Sequence, residues 1–359
     1  MQDKTIPPKD LWSQLREETR PLVIYGMGNG ADKLFDRLAT IGKTPSAVFA
    51  SDDFVRGQFF RGYRVQRFAE IKETYPSFVV LVSFASRLPA VMDVIYKMAE
   101  EYPVYLPDMP VAGDTYFTLD FAKTHAAELQ ETYDLFEDQL SKDIFTAVIH
   151  YKITGDVRYL KSAYSTDEQE FACLQGREIR VAVDGGAYNG DTARKLIQDH
   201  PKIERIYAVE PDPKNHKKLE KFAAECKNCK ILPANAALWQ CCGETQFNAG
   251  GNRNSSLVSA SYENKGVSTK LITVDSLVAN EHVDFIKYDV EGVEKEALLG
   301  SQNTILRDRP VLGVSIYHRS EDIYELPLLL KNMYQDFKFY LRRTNCLPAW
   351  EMMLYAVPR

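Results

Sequence analysis

The stretch Arg180–Thr192, RVAVDGGAYNGDT, runs from an apolar β-branched segment into a glycine-rich turn with an aspartate on each side. In an open parallel sheet, ligands lie beyond the carboxyl ends of the strands. Asp184 leaves this strand, and Gly185, Gly186 and Gly190 let the backbone approach a ligand closely. A dinucleotide would rest its pyrophosphate on the N-terminus of the following helix. Asp184 and Asp191 would then oppose it. Like charges about 4–5 Å apart repel by roughly 3–4 kcal/mol at an effective dielectric near ~20. A cationic ligand reverses that sign.

Working outward, Glu210 ends the next strand-like run, RIYAVE, and is followed by Pro211. A carboxylate at that strand end can accept both ribose hydroxyls, as in dinucleotide folds. The succession of acid, glycine turn, helix, strand and acid points to a nucleoside ligand. The charge pattern selects S-adenosylmethionine, which carries a sulfonium and an ammonium and no phosphate. A plain helix-cap role for Asp184 and Asp191 explains neither the paired glycines nor Glu210.

The remaining chain gives an α/β frame. Beyond Glu210 come the helical NHKKLEKFAAEC, the strand-like KIL, VDFIKYD with a helix at VEKEALLG, and PVLGVSIYH with LPLLLKNMY. FKFYLRR and EMMLYAV follow without an intervening helix, so they should pair as an antiparallel hairpin. A first, smaller strand–helix alternation spans about Pro21 to Asp108 and predicts a parallel sheet. Between the two, Leu129, Tyr133, Phe136, Leu140, Ile144 and Val148 recur at three- and four-residue spacing, the pattern of an amphipathic helical connector. The expected domains are an N-terminal Rossmann-like accessory domain at 1–110, a helical connector at 111–176 and the ligand-binding domain at 177–359.

The chain has 359 residues, 45% hydrophobic and 26% charged, with a formal net charge of −6. Nothing here suggests nucleic acid as a partner. No apolar run is long enough to span a bilayer, and MQDKTIPPKDLWSQ lacks the apolar core of a signal peptide, so a cytoplasmic protein is expected. The oligomeric state is not readable. The six cysteines, including Cys226, Cys229, Cys241 and Cys242, read as reduced thiols rather than a zinc site, because the second pair is adjacent rather than spaced.

VDGGAYNGDT, AVEPDP, NAAL, DFIKYDVEGVEKEALLG and SIYHRSEDIYELPLLL together resemble an FkbM-type, S-adenosylmethionine-dependent methyltransferase. The resemblance covers Arg180 to the C-terminus. It implies a class I, Rossmann-like, doubly wound seven-stranded sheet closed by a C-terminal antiparallel hairpin. It implies donor contacts from Asp184, Gly185, Gly186, Ala187, Tyr188, Gly190, Thr192, Glu210, Pro211, Asn235 and Ala236. It also implies O-methylation of a small-molecule or glycan acceptor, such as a sugar or glycosylated compound.

Two strand ends supply candidate chemistry. Asp289 leaves the strand in KYDVEG, with Glu291 two residues on. Asp289 is the expected catalytic residue and Glu291 an acceptor contact, and the two carboxylates could hold Mg²⁺. Glu294 is explained by the helix dipole alone. His318, beyond VLGVSIY, has a pKa range suited to a general base, while Tyr317 should face away and pack. The polar, glycine-rich NAGGNRNSSLVS could close over a substrate through Arg253, Asn254 and Ser255, or be a solvated turn.

The first domain has its own glycine turn, with Gly26, Gly28 and Ala31 near the G-x-G-x-x-G/A pattern and Ser51 and Asp52 about 25 residues on. It reads as a packing domain, a module for a nucleotide-sugar or other phosphorylated partner, or a true NAD site. The last would make the chain a nucleotide-sugar-modifying oxidoreductase. A ligand-binding protein with an inactive methyltransferase domain is the other alternative.

Overall fold

Short β-branched runs between amphipathic helices become parallel strands twice along the chain. The computed structural model describes residues 7–174, 177–248, 256–257 and 267–359. The first sheet is built from β1 (Leu22–Tyr25), β2 (Ala47–Ala50), β3 (Phe59–Phe60), β4 (Tyr63–Arg67), β5 (Val79–Val82) and β6 (Val104–Tyr105), in the order β3-β4-β2-β1-β5-β6. It is parallel apart from the β3–β4 hairpin. Every residue of β1, β2 and β5 is buried, which is why these strands read as unbroken apolar runs rather than alternating ones.

The connector differs from a single helical run. It forms the helices Leu119–Thr124, Ala126–Leu135 and Gln139–Thr154. The second break falls at Phe136, which is extended, and Asp138 restarts the chain by accepting a hydrogen bond from the Ser141 amide at 2.9 Å. Leu129, Phe136, Ile144 and Val148 are nevertheless buried. The periodicity identified the inward face but not the cap that divides it.

The second sheet contains β7 (Val181–Gly185), β8 (Arg205–Val209) and β9 (Lys230–Ala234). A small separate sheet follows, of β10 (Ala237–Leu238), β11 (Gly243–Asn248), β12 (Ser256–Leu257) and β13 (Val267–Ile272), an insertion that the sequence reading did not anticipate. The main sheet continues with β14 (Phe285–Tyr288), β15 (Val311–Ser315), β16 (Phe337–Arg343) and β17 (Met352–Pro358). Its order is β16-β17-β15-β14-β7-β8-β9. Strands β7, β8, β9, β14 and β15 are parallel, whereas β17 runs antiparallel to both β15 and β16. This is the doubly wound sheet that the resemblance implies, with the terminal hairpin that the strand pattern predicts.

One apolar cluster joins the two sheets. It passes from Val23, Phe49 and Val80 through Phe145 and Val148 to Ile286, Leu312 and Leu354. A buried Lys152–Asp108 ion pair at 2.9 Å ties the connector to the chain leaving β6. Beyond β5, Ser86 exchanges backbone hydrogen bonds of 2.7 and 3.0 Å with Leu347 in the β16–β17 turn. The loop after β5 is thereby fixed against the mouth of the second sheet. Among the described residues, no helix is long and apolar enough to cross a membrane.

Candidate functional site

A cleft of about 430 Å³ opens at the carboxyl ends of β7, β8, β14 and β15. Gly186, Tyr188, Asp191, Thr192, Glu210, Pro211 and Ala236 form one flank. Lys287, Asp289, Glu291 and Tyr317 form the middle, and Arg87, Arg343, Thr344 and Glu351 the other flank. Six non-glycine residues among those described have positive φ, and three of them, Tyr188 (φ 47), Glu291 (φ 58) and Glu351 (φ 56), line this cleft. Such backbone strain persists only where the surroundings enforce it.

The glycine turn is steric in origin. Gly186 has φ +79, and a Cβ there would lie 1.9 Å from the Asp289 carbonyl oxygen. Gly190 has φ +86 against Phe222 and starts the helix Asp191–Asp199. The turn is locked to the next strand by Glu210, whose carboxylate accepts from the Tyr188 and Asp212 amides, each at 2.8 Å. Burial pushes the Glu210 carboxyl up to about 7, against the pull of those two amides.

The predicted donor residues divide into two groups. Gly186, Tyr188, Thr192, Glu210, Pro211 and Ala236 line the cleft. Asn235 instead braces the turn after β8, donating to the Glu210 and Pro211 carbonyls at 2.9 and 3.1 Å. Gly185 ends β7 and Ala187 is buried in the core beneath the turn. Asp184 is fully buried below the cleft floor, and neither carboxylate oxygen has a hydrogen-bond partner among the described residues. The Lys287 ammonium stands 3.8 Å from it. Burial raises the Asp184 carboxyl to about 6, with Lys287 opposing the shift.

Lys287 was not singled out from the sequence, although a lysine within the otherwise apolar strand FIKY is a strong signal. Its ammonium lies 3.0 Å from Asp289 Oδ2. Asp289 Oδ1 accepts from Ser315 Oγ at 2.8 Å and from the Tyr317 hydroxyl at 3.4 Å. Burial would raise this carboxyl, but Lys287, His318 and Ser315 together hold it well below the usual carboxylate range. Tyr317 therefore faces the cleft, contrary to the expectation that it packs away from it.

His318 departs from the role of a base reaching an acceptor. It is fully buried and does not reach the cleft wall. Its Nδ1 lies 2.9 Å from Glu294, and its Nε2 lies 3.5 Å from Asp289 and 3.6 Å from Glu291. Burial alone would lower its pKa, but Glu294, Asp289 and Glu291 raise it to about 10. The ring is a cation at neutral pH. Glu294 exceeds a dipole role too: it is 1% exposed and accepts from the Val290 amide at 2.9 Å, shaping the 290–292 turn.

Glu291 keeps about a third of its side chain exposed, 34%. Burial of the rest, with Asp289 and Glu294 nearby, lifts its carboxyl to about 7 despite His318.

The carboxylate pair does not fit Mg²⁺. Both Asp289 oxygens already face donors, and a divalent cation there would stand against an ammonium and an imidazolium. Among the described residues, no group of three or more His, Cys, Asp or Glu is arranged to hold a metal. All six cysteines are free. Arg253, Asn254 and Ser255 lie outside the described residues.

The cleft does fit S-adenosylmethionine. The floor has a buried carboxylate without hydrogen-bond partners, the Gly186 turn leaves no room for a side chain, and Glu210 stands at the end of β8.

The family model for the Methyltransferase FkbM domain matches residues 184–341. The fold is similar to that of Methyltransferase FkbM from Methylobacillus flagellatus KT over 99% of this chain and 95% of that one, at 20% identity and a TM-score of 0.73. An rRNA methylase from Streptococcus thermophilus covers 53% of this chain and 92% of its own, at 13% identity and a TM-score of 0.34, too low to bear on the reading. No curated protein matches the sequence. Residues 184–341 carry a methyltransferase FkbM domain, the domain of S-adenosylmethionine-dependent methyltransferases.

Proposed function

We propose that the methyl acceptor is a hydroxyl oxygen of a sugar or glycosylated small molecule, and that Glu291 takes its proton. The observation that carries this reading is the pairing of two unlike carboxylates at the cleft centre. Asp289 is pinned, with Lys287 and His318 holding its carboxyl well below the usual range, whereas Glu291 is partly exposed with its carboxyl lifted to about 7. A general base is most effective when its pKa lies close to the operating pH. Groups whose environments push their pKa values apart have separate roles.

The donor supplies an electrophilic methyl group on a sulfonium. The chain's own work is placement. Glu210 receives the ribose, with Asp184 and Asp191 providing negative charge under and beside the turn. Asp289, held by Lys287, Ser315 and His318, supplies fixed negative charge beside the acceptor, and Glu291 receives the proton of the acceptor hydroxyl. His318, a buried cation among acids, holds Asp289, Glu291 and Glu294 together and acts as a positioning residue. The wall formed by Arg87, Tyr317, Thr344 and Glu351 is polar and aromatic, suited to a polyhydroxylated acceptor. At the first domain's glycine turn, the atoms a Gly26 side chain would meet belong to Ser83 and Phe84, and neither is an acid–base group.

The test is methyl transfer from labelled donor to a panel of glycosides. Glu291→Gln should lower kcat by about 10²- to 10⁴-fold and leave S-adenosylhomocysteine affinity unchanged. In the wild type, kcat/KM should fall as pH drops through about 7, as Glu291 protonates. A Glu291→Gln enzyme with the wild-type rate would remove the assignment. Donor binding without turnover of any acceptor would favour the inactive-domain alternative.

A further inference from the structure

The flank of the cleft away from Glu210 contains an arginine that has no carboxylate partner among the described residues. Arg343 is the last residue of β16 and is 1% exposed. Its Nη1 donates to the Ala163 carbonyl at 2.5 Å and its Nη2 to the Cys346 carbonyl, while Nε has no hydrogen-bond partner. These are dipoles, not counter-charges. Its electrostatic neighbours are Cys346, Tyr96 and Tyr151, and burial raises the pKa of all three, so each is neutral at pH 7. Among the described residues, no carboxylate pairs with it. The other arginines of this wall differ: Arg342 pairs with Asp138 at 2.6 Å, and Arg87 with Glu351.

A guanidinium cannot discharge by losing its proton, and a buried charge without a partner is costly. Its place in the sheet says what would complete it. The donor turn lies over β7 and β8, whereas β16 is the edge strand on the far side of β14 and β15. Asp289 and Glu291, where transfer takes place, lie between. Arg343 therefore lies at the end of the cleft away from the donor turn. Arg87, delivered by the loop after β5, stands on the same wall.

We propose that Arg343, assisted by Arg87, forms an oxyanion-binding subsite at the acceptor end of the cleft, taking a carboxylate or phosphate carried by the methyl acceptor. The planar guanidinium fork matches both groups. The acceptor class thus narrows from sugars in general to anionic ones, a conclusion that rests on the methyltransferase reading above. The first domain is then part of substrate recognition, since Ser86 fixes the loop that presents Arg87.

The test is calorimetric titration of the full chain with inorganic phosphate and with glucuronate, using glucose as the neutral control and S-adenosylhomocysteine as a separate titrant. At least one oxyanion should bind more tightly than glucose. Tighter phosphate binding assigns a phosphate ester, and tighter glucuronate binding a carboxylate. Arg343→Gln should weaken that binding by about 10- to 100-fold, and Arg87→Gln by less, with S-adenosylhomocysteine affinity unchanged in both. If Arg343→Gln does not fold, Arg343→Lys and Arg87→Gln decide: weaker oxyanion binding in either supports the subsite, and wild-type binding in both overturns it. Oxyanion affinity no greater than that for glucose, with S-adenosylhomocysteine still bound, overturns the subsite alone. Loss of S-adenosylhomocysteine binding in the wild type would instead overturn the donor reading.

Discussion

Donor affinity should depend on pH through Glu210. This carboxylate is 6% exposed, holds two backbone amides at 2.8 Å and has its pKa raised to about 7 by burial. A ribose whose hydroxyls donate to it favours the ionised form. The free protein therefore holds a proton below pH 7 that must leave when donor binds. Linkage sets the sign: affinity rises with pH up to about 7 and levels off above it. For one proton released from a group of pKa near 7, affinity at pH 8 exceeds that at pH 6 by about tenfold. Calorimetry with S-adenosylhomocysteine between those values measures it, and the heat should vary with buffer ionisation enthalpy. Glu210→Gln should weaken binding by about 10- to 100-fold, since a charge-assisted pair is lost, and should flatten the pH dependence. Affinity that is flat in the wild type, or a slope that survives in Glu210→Gln, would show that Glu210 does not release a proton to the donor ribose.

Three further outcomes can be measured on the same protein. Gly186→Ala places a Cβ 1.9 Å from a backbone carbonyl at φ +79. It should lower stability by at least ~1–3 kcal/mol in denaturant melts and abolish donor binding. Gly28→Ala, with open space around the new Cβ, should stay within ~0.5 kcal/mol of wild type. EDTA should leave turnover unchanged, because Lys287, Ser315 and His318 already occupy the positions around Asp289. Loss on EDTA with recovery on Mg²⁺ would show that the carboxylates rearrange around a metal.

What was legible in the sequence follows its periodicities and its glycines. Buried parallel strands leave unbroken apolar runs, and the Gly186 turn leaves its flanking acids, so the sheet and its ligand crevice could be read directly. The β10–β13 insertion could not, because two of its strands have only two residues and the other two are at least half polar. At the site, residue type located the candidates but not their orientation. His318 and Tyr317 are adjacent, and a strand that ends at Ser315 no longer fixes which of them faces the cleft. Lys287 was readable in principle as a charge inside an apolar strand. Arg87 was not, because it reaches Glu351 and Arg343 of the β16–β17 hairpin only through the Ser86–Leu347 pairing, between residues far apart in the chain. The raised pKa of Glu291 arises from burial and from neighbouring carboxylates, which residue order does not report.

The most direct test of the donor assignment is a crystal structure of the full chain with S-adenosylhomocysteine. The ribose hydroxyls should sit on the Glu210 carboxylate, the backbone of Gly186 against the ligand, and the sulfur should face Asp289, Glu291 and Tyr317. A ligand seated at the Gly26 turn of the first domain, or one whose sulfur points away from Asp289 and Glu291, would contradict it.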